Sequence, residues 1–164
     1  MKSKTRSDCE SAIEQFSGLI PQPAEILYVG TAGNPDGKFE QPHLFPNAKI
    51  TTMDIDPKWK PDIVGDITNP PVGTWNKFDL VIITQVIEHI PNLFEVPNGI
   101  AACLKVGGYA IVDCPFNYRW HPEPNFGDYW RLTPQGMEYL FKDFGKIVAK
   151  YCTDALTSYC FQKK

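Results

Sequence analysis

The sequence predicts an α/β domain built on a parallel sheet with helices packed on its faces, and three observations carry that reading. Short apolar runs alternate with loops and helical periodicities through most of the 164 residues. One run, FDLVIIT at 78–84, is nearly continuous in apolar character, as a parallel strand covered on both faces requires. Polar and special residues collect just after the runs, where open α/β sheets bind their ligands: Gly30, Asp54, Asp66 and the segment 85–89.

Taken in order, Cys9, Ala12, Ile13 and Phe16 repeat at helical spacing and predict a helix over Asp8 to Phe16, with Ser7 and Glu10 as a capping box. Gly18, Pro21 and Pro23 end it. The first strand, Ile26 to Val29, closes on Gly30, and a loop with Gly33, Asn34, Pro35, Asp36 and Gly37 follows. Two prolines within 38–49 leave room there for only a short helix. Further strands are expected at Lys49 to Ile55, Asp62 to Val64 and Phe78 to Thr84. A helix over Val96 to Leu104 puts Val96, Ile100, Cys103 and Leu104 on one side; Gly107 and Gly108 then end it and launch a fifth strand, Tyr109 to Cys114. Thr133 reads as an N-cap with Pro134 at the first helical position, and Met137, Leu140, Phe141 and Phe144 form that helix's apolar face. Strands at Lys146 to Cys152 and Ser158 to Gln162 finish the chain. No repeat or low-complexity tract divides it, so residues 1–164 read as one domain, with an N-terminal helix within 1–20 that could serve as a lid.

Composition narrows the function classes. A net charge of −3 argues against a dedicated nucleic-acid partner, which would usually meet a basic face. Five cysteines without a CxxC pair argue against a disulfide framework or a structural zinc site, and for a reducing compartment. No apolar segment follows the charges of MKSKTRSDCE, and the longest apolar run, Leu80 to Ile83, is far too short to span a bilayer. The expectation is a soluble, cytoplasmic protein with no membrane partner. The oligomeric state is not legible.

Asp54 lies about 20 residues beyond the glycine-containing loop, the distance at which a carboxylate can accept from ribose hydroxyls. Alone, an aspartate there is more often a turn or cap residue. The combination says more. ILYVGTAG at 26–33, TMDID at 52–56, VGDIT at 64–68, FDLVIITQVIEHIPN at 78–92 and CLKVGGYAIVDCP at 103–115 follow one another in an order that resembles the class I S-adenosylmethionine-dependent methyltransferases. In that family a Glu-His pair opens the helix after the fourth strand, and LKVGG is similar to the turn before the fifth. DYWRLTPQGMEYLF at 128–141 is similar to a stretch of some small members. A nicotinamide-dinucleotide use of the same architecture is the competing reading, disfavoured by the lack of a GxGxxG turn.

The resemblance implies a Rossmann-like doubly wound seven-stranded sheet of order 3-2-1-4-5-7-6, with the seventh strand antiparallel, and S-adenosylmethionine as cofactor. It implies that Gly30, Thr31, Ala32 and Gly33 pass close to the methionine part, that Asp54 holds the ribose with Ile55 on the adenine, that Asp66 and Ile67 meet the adenine edge, and that Thr84 and Gln85 line the pocket near the sulfonium. The sequence departs from the family where Tyr28 replaces an acidic residue, Ala32 replaces a glycine, and FEQPHLFPN at 39–47 replaces a helix. Those departures support an alternative, a fold-retaining protein that binds without catalysing. Nucleic-acid methylation is a third reading, disfavoured by the charge.

In such a fold the segment 115–133 would stand beside the transferable methyl group, which makes it the expected acceptor site. Tyr118, Arg119, Asp128, Tyr129 and Arg131 are its candidate substrate contacts, with the arginines suited to a phosphate or carboxylate. The acceptor expected is a small polar molecule, a saccharide or an anionic metabolite. His121 is the first candidate for a general base and His89 the second. His43, His89 and His121 show no ligand pair at helical or turn spacing, so no metal is expected.

Overall fold

The computed structural model describes residues 3–32, 34 and 36–164. Among them seven strands form one sheet, β1 (Glu25–Val29), β2 (Lys49–Asp54), β3 (Ile63–Val64), β4 (Phe78–Ile83), β5 (Leu104–Pro115), β6 (Gly145–Cys152) and β7 (Leu156–Lys163). Their order is β3-β2-β1-β4-β5-β7-β6. Strands β1 to β5 pair parallel, and β7 runs antiparallel between β5 and β6. Both the order and the reversed seventh strand match expectation. The chain leaves β1 toward β2 on one side and returns to β4 on the other, so a crevice opens beyond the tips of β1 and β4.

Alternation along β4 explains its continuous apolar run. Val81 and Ile83 face a cluster with Leu27, Val29 and Val112, covered by α2 (Val96–Cys103) and α3 (Pro134–Leu140). Leu80 and Ile82 face a second cluster with Ile26 and Ile111, covered by α1 (Lys4–Ser17). Both faces are dry, as the parallel reading requires. Within α1, Ala12 and Phe16 are wholly buried, so this helix is part of the body of the fold and only its first turns reach the crevice. Where the family's helix is missing, a 3-10 turn at Pro42–Leu44 stands, and Phe39 and Phe45 supply the apolar cover. Tyr28 points to that face and packs on Phe39 at 4.9 Å between ring centroids.

Several boundaries differ from the sequence reading. Helix α1 starts four residues early because Ser3, not Ser7, caps it, accepting from the Arg6 N–H at 3.2 Å. Thr133 does cap α3, accepting from the Gly136 N–H at 3.0 Å. The Glu-His pair opens no α-helix: Ile87–His89 is a single 3-10 turn, and a second at Leu93–Glu95 precedes α2. Gly107 and Gly108 lie inside β5. The pairing shifts from Phe78–Leu104 to Leu80–Tyr109, and Gly107, at φ +76, lets the backbone take up the extra residues.

Gly99 shows how tightly α2 presses on the loop after β3: a Cβ there would lie 1.6 Å from the Ile67 carbonyl oxygen. Gly99→Ala should therefore lower the unfolding free energy in urea by about 1–3 kcal/mol through overpacking. Gly18→Ala, at φ −66 with nothing within 4 Å, should be neutral or stabilising by up to about 1 kcal/mol. Equal effects at the two positions would mean that α2 does not press on that backbone.

Candidate functional site

The tips of β1, β2 and the loop after β3 line one side of a cavity of about 420 Å³. The chain turns off β1 at Gly30, φ +87, with its N–H on the Met53 carbonyl at 2.9 Å. A side chain could not fit at this bend, since a Cβ would fall 2.1 Å from a Val86 methyl. Thr31 donates through its N–H and hydroxyl to Asp54 Oδ2 at 2.7 and 3.1 Å, and the Asp56 N–H donates to Oδ1 at 2.9 Å. Asp54 is thereby fixed at the cavity wall, with one of a carboxylate's roughly four acceptor positions left for a ligand. Asp66 takes the N–H and hydroxyl of Thr68 on Oδ1, both at 2.8 Å, so Oδ2 is the oxygen turned to other uses. Ile55 and Ile67 line the same wall.

The opposite wall comes from Gln85, Val86 and His89 after β4, and the roof from Asn125, Phe126, Gly127 and Tyr129. Gln85 occupies the left-handed region at φ +56, held by Asp113, which accepts from its N–H at 2.8 Å and its Nε2 at 2.7 Å. Burial pushes the Asp113 carboxyl up to about 6 against those two bonds. The roof is tied down at both ends. Tyr129 and Trp130 donate their N–H groups to the Glu88 carbonyl, and the Trp130 indole donates to the Ile90 carbonyl at 2.9 Å. Asn125 Nδ2 reaches across to Asp56 at 3.3 Å.

A smaller cavity of about 90 Å³ adjoins the first through Gly30, Ala32, Gln85 and Val86. Arg6, Tyr28 and Thr84 line it. Arg6 forms ion pairs with Glu40 and with Glu10. The Tyr28 hydroxyl is pushed up to about 12 by burial, so it stays protonated.

Of the residues predicted from sequence, Gly30, Ala32, Asp54, Ile55, Asp66, Ile67 and Gln85 meet at the larger cavity, and Thr84 at the smaller. Thr31 is buried behind the wall and acts on Asp54. Gly33 lies outside the described residues. His89 lines the larger cavity, and its ring stands 4.9 Å from that of His121, with Tyr118 edge-on to His121. Tyr129 is in the roof. Arg119 sends its carbonyl, not its side chain, to His121 and Arg131. Asp128 and Arg131 pair through two hydrogen bonds at 2.5 and 2.8 Å, with the Asp128 side chain fully covered. They brace the roof, and Arg131 holds the Asp128 carboxyl well below the usual range.

Sequence reasoning missed Glu88, Asp113, Val86 and Phe126. Glu88 is fully buried, and neither of its carboxylate oxygens has a hydrogen-bond partner among the described residues. Burial pushes it far above the ordinary glutamate value, and Asp113 and Asp128 add to the shift. Its place within the apolar stretch VIEHI was the one available signal. His89 is held below the ordinary histidine value by burial and by His121, while its Nδ1 lies 2.5 Å from the Gly127 carbonyl.

A family model described as "Methyltransferase domain" matches residues 1–151. No curated protein matches the chain. Solved structures with the same fold include 1,6-didemethyltoxoflavin-N1-methyltransferase of Burkholderia thailandensis with bound 1,6-didemethyltoxoflavin and S-adenosylhomocysteine, at 14% identity and TM-score 0.69 over 98% of this chain and 78% of that one. The PH0226 protein of Pyrococcus horikoshii OT3 aligns at 15% identity and TM-score 0.72 over 99% and 92%. The N-methyltransferase NodS of Bradyrhizobium japonicum WM9, in complex with S-adenosylhomocysteine, aligns at 13% identity and TM-score 0.64 over 96% and 86%.

The Asp128–Arg131 pair has a measurable pH signature. Asp128→Asn should cost about 1.5–3 kcal/mol at pH 7 in denaturant unfolding, the usual worth of charge-assisted hydrogen bonds, because it leaves the partly exposed Arg131 unpaired. Because the folded Asp128 value is depressed, its stabilisation is complete above the unfolded value and is lost as pH falls through the folded one. The difference between wild type and variant should therefore shrink below about pH 4. A difference independent of pH would show that the pair does not brace the roof.

Proposed function

The chain belongs to the methyltransferase-domain family, and from that membership we propose that it transfers the methyl group of S-adenosylmethionine to a small polar acceptor. The observation that carries this reading is the convergence of Asp54 and Asp66, from the tips of β2 and β3, on one cavity at the switch point between β1 and β4. Two of the solved structures with this fold hold S-adenosylhomocysteine, the demethylated cofactor product.

In this assignment the nucleoside lies in the larger cavity. Asp54 accepts from a ribose hydroxyl at its one remaining acceptor position, Ile55 packs on the adenine, Asp66 Oδ2 accepts from the exocyclic amine, and the backbone of Ile67 meets the ring edge. The amino-acid tail passes the bend at Gly30 and Ala32 toward Thr84 and Gln85. Tyr28 does not obstruct the nucleoside side, because its ring is turned to the α1 face and lines only the smaller cavity.

When bound, the cofactor supplies an electrophilic methyl on a sulfonium: the acceptor's lone pair forms the new bond to carbon as the carbon–sulfur pair returns to sulfur. The protein's task is to align the acceptor and exclude water. The roof over 116–133 does both, with Tyr129, Tyr118 and Arg119 as its substrate contacts. In this reading His121 or His89 takes the proton of a hydroxyl acceptor. A chain that binds the cofactor without turning it over is the second reading, favoured by Val86, which packs against Gly30 and narrows the passage to the smaller cavity.

Calorimetric titration with S-adenosylhomocysteine should show binding to the wild type. Asp54→Ala should weaken it about 10–100-fold, the worth of charge-assisted hydrogen bonds. Asp54→Asn, which keeps an acceptor for Thr31, should lose less, and thermal unfolding of both variants separates lost contacts from lost fold. No binding to wild type at millimolar concentration would end the assignment. Binding without methylation of any hydroxyl, amine or carboxylate test acceptor would favour the second reading.

A further inference from the structure

We propose that Glu88, His89 and His121 form a binding site for a divalent transition-metal ion of the zinc class, with an open position toward the larger cavity. One nitrogen of each histidine and one Glu88 oxygen lie within 4.8 Å of one another. Glu88 Oε1 and His89 Nε2 are 3.7 Å apart, too far for a hydrogen bond. That separation is close to the ~3.4 Å edge of a tetrahedron whose ligands sit at about 2.1 Å from a central ion.

The hydrogen bonds around the rings point the same way. His89 Nδ1 meets the Gly127 carbonyl, at 2.5 Å. His121 Nδ1 meets acceptors too, the Arg119 carbonyl and Asp128 Oδ2, each at 3.0 Å. Each Nδ1 therefore carries the hydrogen, and each Nε2 is left with a bare lone pair. Metal-bound imidazoles are held in this way, by a carbonyl or carboxylate on the far nitrogen.

Glu88 supplies the independent observation. Its side chain is fully buried, yet neither carboxylate oxygen has a hydrogen-bond partner among the described residues. When ionised, a carboxylate so placed is strongly unfavourable unless something positive reaches it. Arg131, the neighbouring cation, is spent on Asp128. With Glu88, Asp113 and Asp128 against Arg131, the locality carries two uncompensated negative charges when all are ionised, and a dication balances them. Two imidazoles and one carboxylate suit zinc, cobalt or nickel rather than magnesium or calcium, which take oxygen ligands. Three protein ligands leave a fourth position open, and His89 and Gly127 both border the cavity. In the loaded protein the two rings act as ligands, and a hydroxyl acceptor at the open position would be made acidic enough by the ion to release its proton to water.

The test uses the full chain stripped with chelator and titrated with Zn²⁺, Co²⁺ or Mg²⁺, with and without S-adenosylhomocysteine. One equivalent of Zn²⁺ should bind at micromolar affinity or tighter, and Mg²⁺ at least 100-fold more weakly; bound Co²⁺ should show tetrahedral-type visible absorption. His121→Ala, on a ring at the edge of the fold, and Glu88→Gln should each weaken Zn²⁺ at least 10-fold. His43→Ala and Cys152→Ser, at exposed positions elsewhere, should leave it unchanged. Zinc binding that survives His121→Ala, or that vanishes with Cys152→Ser, overturns the site, as does affinity no better than for Mg²⁺. Zinc retained with no S-adenosylhomocysteine binding would sink the transferase reading alone, and the converse would sink the metal site alone.

Discussion

The chain leaves β4 through a residue that has no natural liking for its conformation, and one buried carboxylate keeps it there. Gln85 at φ +56 costs on the order of 1–2 kcal/mol relative to an ordinary backbone. Asp113, wholly enclosed near the end of β5, offsets that cost by receiving both N–H groups of the same glutamine. The bend so fixed sends Val86 against Gly30 and turns Glu88 and His89 under the roof. A second carboxylate repeats the device on the other side of the crevice, where Asp54 on β2 holds Thr31 after β1. At each of the two central strands, then, an aspartate from the neighbouring strand sets the exit. The space between the two exits is the cavity.

The fold was legible where burial follows local pattern. The run at 78–84 announced a strand covered on both sides, and Leu80 and Val81 do face opposite cores. The Thr133–Pro134 cap was legible because its chemistry is complete within four residues. Boundaries failed where two local solutions compete. Ser3 and Ser7 both offer an oxygen to a helix start, and the longer helix also buries Thr5. Strand order came from resemblance, since spacing alone does not order a sheet.

The site was legible in halves. The strand-tip aspartates stand out because position relative to an apolar run is a one-dimensional property. The Glu88–His89–His121 cluster does not, because His121 arrives from 32 residues away on a loop whose path depends on the Asp128–Arg131 pair. A glutamate amid isoleucines reads as a surface residue of an amphipathic helix, but the 3-10 turn at 87–89 buries it instead. Tyr28 misleads in the opposite direction. Set against the family it looks like damage to the pocket, whereas with the adjacent helix reduced to a 3-10 turn its ring fills the gap beside Phe39.

The roof's free edge rests on little. Its base is locked by the Arg131 fork and by two N–H groups on Glu88, but its far end meets the β2 side through Asn125 and Asp56, an exposed bond at 3.3 Å. A neutral-donor bond in water is worth about 1 kcal/mol or less, within reach of thermal fluctuation many times per second. The molecule thus has a stiff hinge and a weak latch. Lifting that one edge of the loop would open the crevice while the sheet and both aspartate clamps stay undisturbed.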